Sequence, residues 1–510
     1  MTPSSTTSGS RPAILGPALL AVAALALHAA CWGRYGVFRD ELYFIVCGER
    51  LAWGYVDQPP GIAAVAALAH GLFGTWVPGL RLLAWLASAA TVYAAGRLAA
   101  RLGAGPFGAS LAAAATLGAP VLIGLGHYLT MNAFEPLLLV ALATVLLRLA
   151  RGEDPRLWMV AAGIAGVAVL FKYTAALLAL SFVAGLLLFP ERRALRARWA
   201  LLAAAFGLLV VLPNLAWQAS HGFPFLELVR NGARYKNAAV PPGDFALELL
   251  KEPNPVGALV WIPGVLWLLG SRRAGPARFL AVGAILYVAL LLATKGKPYY
   301  AAPAFPVLFA AGGAAWDGIR PRALRVALPA ALVLSGVALA PLLVPLLPEE
   351  TFVRYQAALG QRPPALERLR MGPLPQILAD QHGLAEIAAA VAAAYRALPR
   401  EQQRTAGIFA QNYGEAAAID VLAEGEGLPP ASSGHNTYWL WGPPAVADPL
   451  LVVGGEGEDC GGGAYRTRTL AARVPDDPWA MPYERGRLVW ICRGLDRPIA
   501  ELWPRVRHYE

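Results

Sequence analysis

The sequence predicts a polytopic α-helical membrane protein with about eleven transmembrane helices, followed by a C-terminal extracytoplasmic α/β domain. Of its 510 residues, 57% are hydrophobic and only 15% are charged, whereas about 25% of the residues of a soluble protein are charged. The net charge of +10 gathers in short arginine clusters between apolar runs, as in cytoplasmic loops beside anionic lipid. Runs this apolar exclude a nucleic-acid-binding face.

The N-terminus and the apolar runs give the predicted elements in order. Residues 1–12 are rich in Ser, Thr and Gly, which predicts disorder. The run 13–32 resembles a signal peptide, but the many later spans favour an uncleaved first helix. Further spans of roughly 20 residues are predicted at 78–100, 106–126, 132–150, 157–170, 172–189, 196–217, 256–270, 276–294, 299–316 and 324–347.

Arginine clusters set the predicted orientation. The clusters within 148–156 and 192–198 both indicate the cytoplasmic face, so an even number of crossings must separate them. With the N-terminus in the cytoplasm, the transmembrane domain covers 13–348 and its first external loop covers 33–60. If the apolar segment 61–75 also crossed the membrane, the arginine clusters would no longer all lie on the cytoplasmic face. We therefore predict that this segment is a helix that lies in the outer interface. The protein is placed in the plasma membrane.

The composition changes after Pro348. Short apolar segments at 406–409, 450–453 and 487–492 alternate with helical stretches near 383–397 and 414–423. This pattern predicts a small α/β domain over 349–510, which the orientation places outside the cytoplasm. Cys460 and Cys492 could pair as a disulfide there.

The most informative polar stretch is the acidic loop that contains Arg39, Asp40 and Glu41 and continues to Asp57. Carboxylates beside a bilayer are costly unless a reaction or a ligand needs them. Acids at a helix start are a structural alternative, but the added aromatic residues and the Pro-Pro ending favour a site. A partly desolvated carboxylate beside an acceptor is suited to act as a general base.

Cations and tyrosines form the second candidate set. Lys172 is followed by Tyr173 in a long apolar run, and Lys297 is followed by Tyr299 and Tyr300. A snorkelling lysine is the alternative, but the predicted orientation puts both lysines on the outer face, where positive residues are disfavoured. Cations with tyrosine hydroxyls on that face predict a site for a lipid phosphate.

Three further observations concern Arg81, Glu135 and the histidines. Arg81 could bind phosphate or be a simple interfacial arginine, and Glu135 could be a helix-start acid or the partner of a lysine. No histidine spacing indicates a protein-bound metal. No cofactor is therefore predicted, although a divalent cation that bridges the phosphate stays an alternative.

Several motifs, in this order, resemble the membrane glycosyltransferases of the protein O-mannosyltransferase and aminoarabinose transferase type, the GT-C superfamily (glycosyltransferase family 39 type). The matching stretches are Asp40-Glu41, Trp53-Gly-Tyr-Val-Asp57-Gln-Pro-Pro, Phe73-Gly, Arg81-Leu82, Leu170-Phe-Lys-Tyr-Thr174, Leu212-Pro-Asn-Leu-Ala-Trp217 with His221-Gly-Phe, and Gly296-Lys-Pro-Tyr-Tyr300. The chain departs from the family pattern at Asn132 with Glu135, where an aspartate is common, and at Gln58, where a histidine is common.

The resemblance implies a sugar donor linked to a polyprenyl phosphate, an extracytoplasmic active site, and Asp40 as catalytic base. We expect inverting transfer of the sugar to a hydroxyl of a protein, lipid or cell-envelope glycan, because one displacement with one base inverts the anomeric centre. The cations and tyrosines would bind the phosphate, while Asp57 and Glu41 would position the sugar or acceptor. A flippase or transporter of lipid-linked sugars, or a non-catalytic glycan-binding assembly subunit, is the alternative function.

Overall fold

The computed structural model describes residues 12–196, 198–238, 240–363, 367–455, 460 and 463–510. The predicted disordered N-terminus, 1–12, thus lies almost wholly outside the described residues. The chain divides into two compact units. The helical unit comprises residues up to Trp32, Arg81–Ala216 and Ala239–Leu346, and the sheet unit comprises Gly33–Leu80, Trp217–Ala238 and Leu347–Glu510.

The α-helices of the described residues follow in chain order. They are α1 (Pro12–Ala29), α2 (Arg39–Glu49), α3 (Gly61–Phe73), α4 (Val77–Arg101), α5 (Pro106–Leu117), α6 (Pro120–His127), α7 (Met131–Ala150), α8 (Leu157–Phe171), α9 (Thr174–Leu187), α10 (Arg198–Ser220), α11 (Pro224–Asn231), α12 (Pro242–Lys251), α13 (Ala258–Gly270), α14 (Arg278–Ala293), α15 (Phe305–Trp316), α16 (Arg322–Leu339), α17 (Glu349–Ala358), α18 (Gln376–Ala379), α19 (Leu384–Arg396), α20 (Arg400–Thr405), α21 (Tyr413–Leu422), α22 (Thr437–Leu440) and α23 (Ile499–Leu502).

Close helix packing defines the core of the helical unit. Helix α15 packs on α5 and α13, α9 packs on α14, and α7 packs on α8. Small residues permit these approaches, as at Gly313, where a Cβ atom would overlap the carbonyl oxygen of Gly108 on α5. Gly312 approaches the carbonyl of Val260 on α13 in the same way. Such contacts are typical of helices that associate within a bilayer.

The number of membrane spans is smaller than predicted when length and composition are the criteria. Among the described residues, five helices are long and apolar enough to cross a membrane, and two sharply bent helix pairs raise the number to seven at most. The predicted helix-rich membrane fold with a C-terminal sheet is confirmed, whereas the count of eleven spans is not.

A break at Lys172 explains part of this difference. Helix α8 ends at Phe171 after 15 residues, Lys172 is extended at φ −155° and ψ 129°, and α9 begins at Thr174 and has 14 residues. At 1.5 Å per residue, each helix is shorter than the roughly 20 residues that cross a bilayer. The break places the backbone of Lys172 between two helix ends rather than within a helix.

The sheet unit contains a five-stranded mixed sheet in the order β2-β1-β3-β5-β4. The strands are β1 (Gly407–Ala410), β2 (Ala431–Ser433), β3 (Leu450–Gly454), β4 (Tyr465–Arg473) and β5 (Leu488–Leu495). β1 pairs in parallel with β2 and β3, while β5 pairs antiparallel with β3 and β4. Helix α21 packs on α19 and on α2, so the first acidic loop and the C-terminal region share one unit.

Candidate active site

The predicted acidic loop begins as helix α2, and its two neighbouring acids have different surroundings. Acidic residues in a first turn favour the helix N-terminus, and Glu41 uses this position to cap it. Its Oε2 accepts a hydrogen bond of 2.9 Å from the backbone N–H of Phe38, and its side chain is fully buried. The structure therefore gives Glu41 a capping contact, while Asp40 is half-buried and borders solvent.

Asp40 accepts a hydrogen bond from the C-terminal region. The hydroxyl of Tyr413, the first residue of α21, donates to Asp40 Oδ1 at 2.8 Å. The described residues provide no hydrogen-bond donor to the other oxygen, Oδ2. The Tyr413 ring is held in turn by the guanidinium of Arg39, 4.5 Å from the ring centroid, and by the ring of Tyr43 at 4.7 Å. One carboxylate oxygen is thus fixed, and the second is available to accept a proton.

Arg39 lies inside a buried network. Its Nη1 contacts the hydroxyl of Tyr483 and lies 3.9 Å from Asp380 Oδ1, and Tyr483 donates to the same carboxylate at 3.0 Å. Burial raises the pKa of Asp380 to about 7, although Arg39 opposes this shift. These contacts hold Arg39 beneath Tyr413 and support the position of Asp40.

Asp57 is the second carboxylate near this helix. The Tyr43 hydroxyl lies 2.9 Å from Asp57 Oδ1 and 2.7 Å from Thr437 Oγ1. Burial raises the pKa of Asp57 to about 6, the hydrogen bond from Tyr43 opposes this, and the negative charge of Asp40 adds to it. Asp40 and Asp57 therefore lie close enough to interact electrostatically within one unit.

The second predicted set lies in the helical unit and centres on Lys172. Its Nζ donates to Asn132 Oδ1 at 2.8 Å and lies 3.3 Å from Glu135 Oε2. The ring of Tyr300 is 4.4 Å from Nζ and that of Tyr299 is 5.7 Å away. The alternative that Glu135 is the partner of a lysine thus describes the structure. Asn132 and Glu135, which together form the first departure from the family pattern, both contact Lys172.

The remaining predicted cations and tyrosines differ in their contacts. Tyr173 donates to Asn214 Oδ1 at 3.1 Å. Arg81 is buried, with Nη1 3.4 Å from His127 Nε2 and its guanidinium 4.9 Å from the Tyr128 ring. Lys297 is half-buried and precedes a short 3-10 helix, Pro298–Ala304, that contains Tyr299 and Tyr300. Arg81 is thus engaged with an aromatic cluster, whereas Lys297 lies on the same segment as the two tyrosines.

Sequence reasoning missed Tyr413 and Asp380 as neighbours of the acidic loop. Tyr413 lies in Gln411-Asn-Tyr-Gly-Glu415, a stretch with no identified role in the sequence. A polar tyrosine before a predicted helix was the available signal, but nothing in the sequence relates it to Asp40. In the same unit, Cys460 and Cys492 form a disulfide, the pair that the sequence singles out.

Comparisons with known proteins concern the family and the fold. Residues 57–217 match the family model of dolichyl-phosphate-mannose-protein mannosyltransferase. ArnT from Cupriavidus metallidurans bound to undecaprenyl phosphate superposes with a TM-score of 0.61 at 16% identity, covering 93% of this chain and 97% of ArnT. Its apo structure gives 0.61 at 15% identity, covering 94% and 97%. The oligosaccharyltransferase AglB from Archaeoglobus fulgidus, in complex with an inhibitory peptide and a dolichol-phosphate, gives 0.47 at 13% identity, covering 79% and 63%. No curated protein sequence matches the chain.

The family match over residues 57–217 and the fold both agree with the predicted class, a GT-C-type membrane glycosyltransferase. More narrowly, residues 57–217 are similar to the dolichyl-phosphate-mannose-protein mannosyltransferase family, and the whole chain is similar in fold to ArnT.

Proposed function

We propose that this protein transfers a sugar, with inversion, from a polyprenyl-phosphate donor to an acceptor hydroxyl on the extracytoplasmic face of the plasma membrane. The acceptor is a protein, a lipid or a cell-envelope glycan. The proposal includes eleven crossings, a cytoplasmic N-terminus and an extracytoplasmic region 349–510. The undecaprenyl phosphate bound to ArnT supports the donor class, since the arginine clusters and the lysine–tyrosine segments of this chain suit a phosphate-bearing lipid.

The single observation that carries the proposal is the state of Asp40. Tyr413 fixes one carboxylate oxygen at 2.8 Å, the side chain is half-buried, and the second oxygen meets no donor among the described residues. A base must be held in place and must keep one oxygen available for the acceptor proton. Asp40 meets both conditions, whereas Glu41 is fully buried and caps a helix.

The roles divide between two chemical tasks. Asp40 accepts the proton of the acceptor hydroxyl as its oxygen attacks the anomeric carbon, and the bond from that carbon to the phosphate oxygen breaks. The released phosphate monoester carries additional negative charge, which Lys172, Lys297, Tyr299 and Tyr300 stabilise. Asp57 orients the sugar or the acceptor.

The other predicted residues support these groups. Arg39 holds the ring of Tyr413, Glu135 holds Lys172, and Tyr173 holds Asn214. Arg81 and Glu41 keep local structure through their contacts with His127 and Phe38.

Asp40→Asn tests the base directly. Asparagine keeps an oxygen for the Tyr413 hydroxyl but cannot accept the acceptor proton, so transfer should fall by at least about 10²- to 10⁴-fold. The assay follows release of polyprenyl phosphate from a panel of radiolabelled undecaprenyl-phosphate sugars in membranes of a producing strain. Donor binding should change less than twofold, and the exposed Asp244→Asn serves as a matched control.

Three outcomes of this assay would contradict the proposal. Full transfer by Asp40→Asn would remove Asp40 as base. Movement of labelled lipid across sealed vesicles without release of polyprenyl phosphate, in the unmodified protein, would identify a flippase instead. Binding of labelled donor with neither release nor movement would identify an assembly subunit.

A further inference from the structure

A cluster of two histidines and a glutamate lies in the sheet unit, apart from the residues assigned to transfer. His435, His508 and Glu510 each offer one ligand atom, and these atoms all lie within 4.8 Å of one another. His435 follows strand β2, while His508 and Glu510 belong to the last segment of the chain. Imidazole nitrogens with a carboxylate oxygen are a common ligand set for Zn²⁺.

Backbone hydrogen bonds bring the two segments together. His435 and His508 face each other in an isolated parallel bridge. The N–H of Asn436 donates to the carbonyl of His508 at 3.1 Å, and the N–H of His508 donates to the carbonyl of Gly434 at 3.0 Å. The rings of the two histidines stack as a result, with centroids 4.5 Å apart.

The side chain of Asn436 fixes the third member of the cluster. Its Oδ1 accepts from the backbone N–H of Glu510 at 3.2 Å, and its Nδ2 donates to the Glu510 carbonyl at 3.3 Å. This reciprocal pair places the glutamate backbone, so that its exposed carboxylate needs to move only by rotation of its own side chain. The backbone positions of all three residues are therefore set by the fold, and the two stacked imidazole rings must rotate for their lone pairs to point at one ion.

The hydrogen bonds of the imidazoles leave a lone pair on each ring. Nε2 of His435 lies 3.2 Å from the carbonyl oxygen of Glu510, and Nδ1 of His508 lies 3.0 Å from that of Val506. A carbonyl oxygen only accepts, so these nitrogens carry the protons and the opposite nitrogens, His435 Nδ1 and His508 Nε2, carry lone pairs. A backbone partner of this kind fixes the tautomer of metal-binding histidines.

The lone pair of His435 is the observation that indicates a ligand. His435 is 5% exposed, and its buried Nδ1 has no hydrogen-bond partner within the part of the chain that the structure describes. A buried polar atom without a partner costs about 1–3 kcal/mol, and a metal ion at this nitrogen would remove the cost. We propose that His435 Nδ1, His508 Nε2 and the Glu510 carboxylate bind Zn²⁺, with a water molecule in the fourth position.

The proposed ion would have a structural effect close to the transfer site, although the zinc proposal does not depend on the proposed function. The ring of His435 lies 4.9 Å from that of Tyr413, which donates to Asp40. Zinc would join the last segment of the chain to the segment that follows β2, and would so hold the neighbour of Tyr413. The positive charge of Lys236 also acts on His435, and it should weaken the binding of a cation.

The test uses full-length protein purified in detergent with a tag that lacks histidine. Zinc content is measured by elemental mass spectrometry, and affinity is measured by titration of chelator-treated protein with Zn²⁺ against a chromophoric competitor. We expect about one zinc per chain and a rise in Tm on titration. His508→Ala and Glu510→Gln should weaken affinity by at least about 100-fold and 10-fold, while Lys236→Met should tighten it.

The controls separate a built site from adventitious binding. His221→Ala removes an exposed histidine of the same unit and should leave zinc affinity unchanged. Co²⁺ substitution should give visible absorption bands of low coordination number in the unmodified protein and not in His508→Ala, even if His435→Ala fails to fold. Equal zinc affinity in the unmodified protein, His508→Ala and Glu510→Gln would overturn the proposal.

Discussion

Replacement of Lys172 by methionine separates the proposed phosphate-binding role of this lysine from its observed ion pair with Glu135. Lys172 is a proposed donor to the phosphate, and it is also the partner of Glu135 at 3.3 Å. The exposed fraction is 13% for the lysine side chain and 1% for the glutamate side chain. Asn132 Oδ1 accepts from the same ammonium at 2.8 Å. A single substitution therefore removes a ligand contact and leaves a buried carboxylate without its cation.

The structural part of the effect follows from this burial. Breaking a buried ion pair by removing one partner costs about 3–5 kcal/mol, because the remaining charge stays in a medium of low dielectric. Lys172→Met should therefore lower thermal stability in detergent. Glu135→Gln in the same chain removes the stranded charge and keeps an oxygen for the hydroxyl of Thr174, which lies 3.2 Å from Glu135 Oε1. The double variant should recover most of the lost stability.

The binding part of the effect should not recover. A hydrogen bond to a charged group contributes about 1.5–3 kcal/mol, which corresponds to a roughly 10- to 150-fold change in Kd. Binding of radiolabelled undecaprenyl phosphate should weaken by this factor in Lys172→Met and equally in Lys172→Met with Glu135→Gln. Lys295→Met, which removes an exposed lysine near the end of α14, should bind within twofold of the unmodified protein.

The double variant decides the matter. If it recovers both stability and lipid affinity, Lys172 serves only to neutralise Glu135, and its assignment to phosphate binding is refuted. If it recovers neither, the ion pair is not the source of the instability. Only recovered stability with lost affinity agrees with a lysine that has both roles.

Two further predictions concern the sheet unit. Burial raises the pKa of Asp57 from 3.8 to about 6, so the folded protein favours the protonated carboxyl. The contribution of Asp57 to the free energy of unfolding is therefore complete below about pH 4 and is lost as the pH rises through 6. After a discount for partial exposure, this loss is about 2 kcal/mol. Asp57→Asn, which keeps an oxygen for Tyr43, should therefore raise Tm at pH 8 but not at pH 4, and an equal rise at both would contradict this origin. Tyr413→Phe should lower kcat about tenfold with KM unchanged, because it removes the hydroxyl that donates to Asp40 at 2.8 Å. The control Tyr438→Phe removes another tyrosine–carboxylate contact of 2.8 Å and should leave kcat unchanged. An equal fall of kcat in both variants would indicate a general structural effect.

The fold could be predicted where the pattern is local. The apolar segments at 406–409, 450–453 and 487–492 are strands β1, β3 and β5, and the helical stretches near 383–397 and 414–423 are α19 and α21. Apolar periodicity and length suffice for such elements. The number of membrane spans was harder to predict. The arginine clusters require an even number of crossings between them, but they do not indicate where a helix ends, and α8 and α9 end and begin on the two sides of Lys172.

The site could be predicted only in part, for a related reason. Local composition was enough to single out the acidic loop and the lysine–tyrosine segments. Tyr413, the hydrogen-bond donor to Asp40, lies 373 residues away in the chain, however. No pattern within either segment specifies that contact. The pairing of Lys172 with Glu135 spans two helices and was therefore one of two alternatives rather than a prediction.

The structure also gives a physical reason to prefer Asp40 over Asp57 as base. A base must be ionised when the acceptor arrives. Burial raises the pKa of Asp57 to about 6, so a fraction of this carboxyl is protonated just below neutral pH, and its Oδ1 is already bound to Tyr43. Asp40 is half-buried, and among the described residues only one of its carboxylate oxygens accepts a hydrogen bond, from Tyr413. The negative charge of Asp40 also contributes to the raised pKa of Asp57. Of the two, Asp40 thus has an oxygen available for the acceptor proton, and Asp57 is suited to donate a hydrogen bond to the sugar or acceptor when it is protonated.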